Sequence, residues 1–314
     1  MSKLFKVNSS PHIRHEDSSR GIMLDVIIAL LPAAVFGCIL FGLRAVLVLV
    51  TTVAVAVGAE AAWNAMLHKP QTIGDLSAVV TGLLLGMNLS SSTPIWIAAI
   101  GSIVAIIVVK QMFGGLGFNF ANPAMTARIV LLVSFGKYMT SYIVPLSGNV
   151  SLDAVSSATP LAITASENIP NLKQMFFGMH AGCIGETSSF LLIIGGLYLI
   201  MRRVIKPIIP VAFIGTVALA TLIAGGDLKL AVFGGGLMLG AIFMATDYVT
   251  TPTTNLGKLI FGIGCGLITF VIRQFSPMAE GVSYAILLMN ILTPHINTLT
   301  LAKPFGFKEV KKDE

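Results

Sequence analysis

Ten apolar runs, each approaching or reaching the thickness of a bilayer, dominate this chain of 314 residues. They lie at about 22–42, 44–67, 76–92, 94–113, 121–136, 188–202, 207–225, 229–246, 256–275 and 280–299. A helix that crosses the hydrocarbon core needs about 20 such residues. The chain is only 11% charged, against roughly 25% for a soluble domain, and its mean hydropathy is +0.89. In lipid every backbone polar group must be satisfied within the protein, and runs of this length achieve that as helices. The expected fold class is an all-α integral membrane protein with about ten transmembrane helices.

An even number of crossings puts both termini on one side. With the amino terminus inside, fourteen Lys and Arg fall on the inner side and five on the outer, with Arg128 inside a run. That asymmetry predicts cytoplasmic termini and an outer loop at 137–187. The two halves echo one another. Gly82-Leu83-Leu84-Leu85-Gly86 resembles Gly236-Leu237-Met238-Leu239-Gly240, Thr93-Pro94 resembles Thr251-Pro252, and Lys110-Gln111 resembles Arg273-Gln274. Two five-helix repeats, inverted because their helix count is odd, follow from that match. The third and eighth runs pass into polar residues, at Asn88–Ser92 and Thr246–Thr250, which predicts broken helices near the midplane. Glycines that only let helices pack closely explain the same pattern. The division expected is a segment 1–21, a repeat 22–136, the loop 137–187, a repeat 188–299 and a tail 300–314.

Several chemistries are disfavoured. Cys38, Cys183 and Cys265 stand far apart and form no CxxC pair, so no zinc or iron–sulfur site is expected. His12 and His15 sit in a polar tail and are not read as metal ligands. The net charge of +6 is explained by membrane orientation, with a lipid bilayer and not nucleic acid as the partner. No cleavable signal pattern is expected, because the first apolar run begins late and is too long for a signal segment.

Acids within membrane segments are expensive and usually functional. Asp25, Glu60 and Asp247 are the candidates for an ion pathway, Glu60 being the deepest in its run. Arg128 could pair with any of them, and a structural ion pair explains each equally well. Asn119 and Asn122 open the fifth run, and Asn122-Pro123 also fits a helix cap followed by a first-turn proline. Gly185-Glu186-Thr187-Ser188 opens the sixth run, as a phosphate-approaching helix start or as a simple cap. In the outer loop, Thr159 lies among the small residues Ser156, Ser157 and Ala158, with Pro160 opposing helix and Asp153 supplying a carboxylate. A hydroxyl so placed can accept a phosphoryl-linked group from an enzyme, although loops of ordinary composition look the same.

Longer motifs weight these readings. Ser10-Pro11-His12-Ile13-Arg14, Met23-Leu24-Asp25-Val26, Leu30-Leu31-Pro32-Ala33, Asn119-Phe120-Ala121-Asn122-Pro123-Ala124, Gly185-Glu186-Thr187-Ser188 and Phe243-Met244-Ala245-Thr246-Asp247 resemble the RnfD/NqrB family along most of the chain. That family's flavin-attachment motif reads Asp-x-x-Ser/Thr-Gly-Ala-Thr. Asp153, Ser156, Ala158 and Thr159 match it, and Ser157 stands where glycine is usual. The length suits the Rnf branch. The resemblance implies a subunit of an ion-translocating ferredoxin:NAD oxidoreductase in the cytoplasmic membrane of a prokaryote, inactive alone. It implies covalent FMN on Thr159 at the outer face. It further implies a second flavin, riboflavin, near the inner side, with Asn119 and Asn122 as its contacts. The implied partners are iron–sulfur and flavin subunits of the same complex, and a flavin transferase. Without the resemblance, inverted repeats with broken helices favour a secondary transporter or channel. A purely structural anchor is a third reading.

Overall fold

The computed structural model describes residues 18–143, 156–157, 171–186, 188–276 and 281–301. Helices occupy every one of the ten predicted runs. They are α1 Ser19–Phe41, α2 Leu43–Met66, α3 Ser77–Met87, α4 Ile95–Ile103, α5 Pro123–Ser134, a short α6 Gly136–Met139, α7 Leu172–Phe177, α8 Ser189–Met201, α9 Ile208–Ile223, α10 Leu228–Phe233, α11 Leu237–Leu239, α12 Asn255–Phe275 and α13 Val282–Thr300. Helix α4 continues as a π-helix over Val104–Gln111, and α11 as a second over Gly240–Met244. Strand β1, Tyr142–Ile143, pairs antiparallel with β2, Ser156–Ser157.

Among the described residues, α1, α2 and α12 are long and apolar enough to cross a membrane, and five further apolar helices are shorter. The chain is therefore a multi-pass membrane protein. The third run is cut short and the eighth is interrupted. Helix α3 stops at Met87, and the eighth run breaks at Gly234–Gly236 and again after Met244. The first of these breaks falls where the polar residues predicted it. The Gly234–Gly236 break lies one helical segment earlier than the sequence suggested, where three consecutive glycines weaken the helix.

The helices sort by size. On α1 the large side chains Leu24, Ile28, Leu31, Val35 and Ile39 form an exposed stripe, while Ala29, Ala33 and Gly37 face inward. Lipid is as apolar as leucine, so the gain comes from close backbone approach at small residues. A Cβ on Gly82 would lie 2.8 Å from the Thr52 carbonyl oxygen, and one on Gly86 2.5 Å from Thr52 Oγ1. Those two glycines seat α3 on α2. Gly262 and Gly266 do the same for α12 against α9, where added Cβ atoms would meet Ala212 Cβ at 2.7 Å and Thr216 Cβ at 2.6 Å. The close-packing explanation of the glycines thus holds beside the helix breaks.

Gly82→Leu should lower stability by about 1–3 kcal/mol through overpacking. Gly58→Leu, whose added Cβ meets nothing within 4 Å, should be nearly silent. Thermal unfolding of the two variants in detergent separates them.

Candidate functional site

A cavity of ≈ 250 Å³ opens among α1, α3, the π-turn after α4, the start of α5, the end of α8 and residues 243–249. Its size sits just below the usual range for small-molecule sites, about 300–1,000 Å³. Much of the wall is apolar, including Met23, Val80, Leu84 and Phe243, while Ser77, Lys110, Asn119, Asn122 and Asp247 supply polar groups. Two of the three expected ion-path acids lie away from it. Glu60 is not on the wall, and Asp25 accepts from Tyr198 Oη at 2.8 Å and from Arg202 Nη2 at 3.2 Å.

The wall is held by a directed hydrogen-bond chain. Lys110, only 1% exposed, donates from Nζ to Glu60 Oε2 at 2.9 Å and to Ser77 Oγ at 2.6 Å. The Ser77 hydroxyl donates in turn to Asp75 Oδ1 at 2.6 Å. The other Glu60 oxygen accepts from Thr72 Oγ1 at 2.5 Å, and Thr72 Oγ1 accepts from Asn64 Nδ2 at 3.0 Å. Burial of both charges is tolerable because each is paired and further hydrogen-bonded. The orientation count treats Lys110 as an inner loop cation. The structure instead places it inside the bundle.

Asn122 caps α5, its Oδ1 accepting from the backbone N–H groups of Ala124 at 3.1 Å and Met125 at 3.3 Å. Its Nδ2 donates to the Met244 carbonyl at 3.2 Å, at the end of the second π-turn. With the Asn290 amide oriented to suit its neighbours, it accepts from the Asn122 N–H at 3.1 Å and donates to the Thr250 carbonyl at 3.2 Å. Thr293 donates to the same carbonyl at 2.9 Å. Asp247 accepts from the Val249 N–H at 3.4 Å and Thr250 Oγ1 at 3.3 Å. Asn122 therefore commits its side chain to structure. Asn119 does not: its Oδ1 is buried with no hydrogen-bond partner among the described residues. A buried unpaired amide oxygen is costly.

Deeper in the bundle, Arg128 pairs with none of the three expected acids. Its Nη1 lies 3.2 Å from Glu186 Oε1 and donates to Asn88 Oδ1 at 2.6 Å, and Nη2 approaches Cys183 Sγ at 3.5 Å. Glu186 belongs to the tetrapeptide that opens the sixth run, and Ser188 there caps α8 through Leu191 N at 3.4 Å. The carbonyls of Met87 and Leu89, at and just past the end of α3, accept from the N–H groups of Gly185 at 2.8 Å and Ile184 at 3.0 Å. Sequence reasoning misses Glu186 and Asn88 as partners of Arg128. The available signal is that a basic residue inside an apolar run must find an acid.

The attachment motif is only touched by the described residues. Ser156 and Ser157 form β2, opposite Ile143 and Tyr142 respectively. Tyr142 clusters with Ala181 and Cys183, so β1 abuts the Arg128 region. Asp153, Ala158 and Thr159 lie outside the described residues.

A family model described as the NQR2, RnfD, RnfE family matches residues 6–306. The chain is 47% identical to the D component of the Na(+)-translocating ferredoxin:NAD(+) oxidoreductase complex of Acetobacterium woodii, over 98% of this chain and 97% of that protein. It is 44% identical to the D component of the proton-translocating ferredoxin:NAD(+) oxidoreductase complex of Clostridium ljungdahlii, covering 96% of each. It is 39% identical to the D component of the ion-translocating oxidoreductase complex of Stutzerimonas stutzeri, covering 91% of each.

Removing one partner of the Arg128–Glu186 pair should cost about 3–5 kcal/mol, because the other charge stays buried. Glu186→Ala should therefore unfold well below the wild type. The double variant Arg128→Met/Glu186→Leu should recover much of the loss. Detergent unfolding of the single and double variants measures both.

Proposed function

This chain belongs to the NQR2, RnfD, RnfE family, and on that premise we propose that it is the membrane flavoprotein subunit of an Rnf-type complex. That complex would couple electron transfer between ferredoxin and NAD to translocation of Na⁺ or H⁺. The names of the relatives support the role in the complex. The observation that carries the flavin reading is the mostly apolar cavity lined by Asn119 and Asn122. A flavin bound there would supply one- and two-electron transfer, while the protein supplies binding and electrostatics.

In this reading riboflavin occupies the cavity without a covalent bond. The Asn119 amide contacts the ring, Asn122 holds the wall through its cap, and Met23, Leu84 and Phe243 exclude water. A second flavin, FMN, is carried by Thr159 in the motif that includes Asp153, Ser156 and Ala158. Partner subunits would bring the iron–sulfur centres, and a flavin transferase would load Thr159. The orientation argument puts both termini in the cytoplasm and the Thr159 loop outside the cytoplasmic membrane. Of the three acids, Glu60 and Asp25 are held by Lys110 and Arg202, which leaves Asp247 as the better contact for a moving cation.

Two inverted halves also belong to this proposal. Lys110 reaches Ser77 at the start of α3, and Arg273 donates to the carbonyls of Ala231 at 2.6 Å and Gly234 at 3.2 Å in the eighth run. Thus the two basic residues that echo each other in sequence each tie the fourth or ninth run to the third or eighth.

Peptide mass analysis of the protein from its own host tests the proposal. A Thr159 peptide should carry the mass of FMN, and Thr159→Ala should abolish both that mass and coupled electron transfer while the complex still assembles. An unmodified Thr159 in an active complex would sink the covalent site and favour a transporter without redox chemistry.

A further inference from the structure

Helices α9 and α12 run parallel, so their amino-terminal ends lie side by side. Gly262 packs against Ile209 and Ala212, and one turn later Gly266 packs against Phe213 and Thr216. Lys258 extends the row of Gly262 and Gly266 by one turn toward that shared end. Lys206, in the turn before α9, reaches the same place and donates from Nζ to Asn255 Oδ1 at 2.9 Å. We infer that Lys206 and Lys258 bind the head group of an anionic phospholipid of the inner leaflet, whose acyl chains lie along the α9–α12 seam.

Lys258 is three residues past Asn255, about 4.5 Å of helix rise, so the two ammonium groups are neighbours and repel one another. No acid among the described residues offsets them: the described ion pairs use Lys110, Arg128 and Arg202 instead. Each helix start adds about half a positive charge and ordinarily favours a carboxylate nearby. Neither α9 nor α12 has an acid in its first turn. Thr254 caps α12 through the Gly257 N–H at 3.0 Å, whereas α9 has no side-chain cap. Two lysines and two positive dipole ends converge on one spot, and an anion there satisfies all four. The lysines have donors for it. An ammonium carries three, and Asn255 takes one of those on Lys206.

The flank of the seam is apolar and open. Val211 and Leu219 on α9 and Leu259 and Ile263 on α12 are exposed. In two facing parallel helices, the residue before a contact position on one and the residue after it on the other point to the same side. Val211, just before Ala212, and Ile263, just after Gly262, therefore border the seam together. Between Val211 and Leu219 at helical spacing stands Gly215, where an added Cβ would meet nothing within 4 Å, so the border is indented there. A phospholipid covers both parts at once, its phosphate at the lysines and its chains along this border. An acidic peptide or a free phosphate would meet the charge and leave the border uncovered. With the termini in the cytoplasm this end lies at the inner face, where anionic lipids attract lysines.

The test uses the purified complex in phosphatidylcholine vesicles that carry a trace of phosphatidylglycerol with a photoreactive head group. After illumination, peptides from 202–211 and 253–260 should carry the label. Unlabelled phosphatidylglycerol should suppress that labelling at about tenfold or more lower concentration than phosphatidylcholine of the same chains. Lys206→Gln/Lys258→Gln should weaken labelling of these peptides by about tenfold or more. Lys137→Gln/Lys229→Gln, which removes as much charge from the opposite face, should leave it unchanged. Absence of label from both segments, as when a partner protein covers them, overturns the inference. So does equal suppression by the two lipids, which marks a contact with chains alone. Suppression by inorganic phosphate as readily as by phosphatidylglycerol marks a general anion site and overturns the lipid assignment. Should the lysine variant not assemble, the competition between the two lipids on the wild type still decides.

Discussion

The buried guanidinium of Arg128 is the constraint around which the rest of the bundle is arranged. A cation at this depth must be neutralised and hydrogen-bonded. Neither need is met from its own helix. Glu186 brings the opposite charge from the segment before α8, and Asn88 brings an amide oxygen from just past the end of α3. For both to reach Arg128, α3 must stop where it does and the 183–186 segment must enter the core. That entry carries unpaired backbone groups into a place without water, and the bonds from Ile184 and Gly185 to Leu89 and Met87 satisfy them. It also demands space. A Cβ on Gly185 would lie 2.5 Å from Met87 Cβ, one on Gly236 2.5 Å from Glu186 Oε1, and one on Gly37 would collide with the Ile184 carbonyl. Three glycines from three parts of the chain thus answer to one loop.

Helix α5 carries this arrangement to the cavity. Asn122 sits at its first end, bonded to the second π-turn and to α13, and Arg128 lies six residues on. At 1.5 Å of rise per residue the two are separated by about 9 Å along the axis. A rigid element therefore joins the cavity wall to the segment beneath β1.

What could be read from the sequence, and what could not, divides by range. The apolar runs, the Asn122-Pro123 start of α5, the Ser188 cap and the stop of α3 near Asn88 are local consequences of hydropathy, capping and polar content, and each is legible. The close-packing glycines are visible as Gly82 and Gly86, but whether they serve packing or a helix break is not, because that depends on α2. The pairings are illegible for the same reason. Glu60 and Lys110 are 50 residues apart in sequence, and nothing local distinguishes Lys110 from an interfacial cation. Asn122 is legible as a cap from the proline that follows it, whereas only the fold shows that Asn119 has a buried amide oxygen without a partner among the described residues.

The same long-range pairing changes how the acids should be weighed. Depth in an apolar run makes Glu60 the leading ion-path residue, since an isolated buried carboxylate would attract any passing cation. The fold gives it a resident cation. Lys110 and Thr72 already satisfy its two oxygens, and both members of the ion pair are almost wholly buried. A moving Na⁺ or H⁺ would first have to displace the Lys110 ammonium or leave it unpaired in the interior, and breaking such a pair costs about 3–5 kcal/mol. Asp25 is committed in the same sense to Arg202, although that arginine is well exposed and the pair correspondingly weaker. Asp247 differs in kind. Its described partners are a backbone N–H and a hydroxyl at 3.3–3.4 Å, long contacts that a cation or proton could replace without stranding another charge. It also borders the same cavity as Lys110.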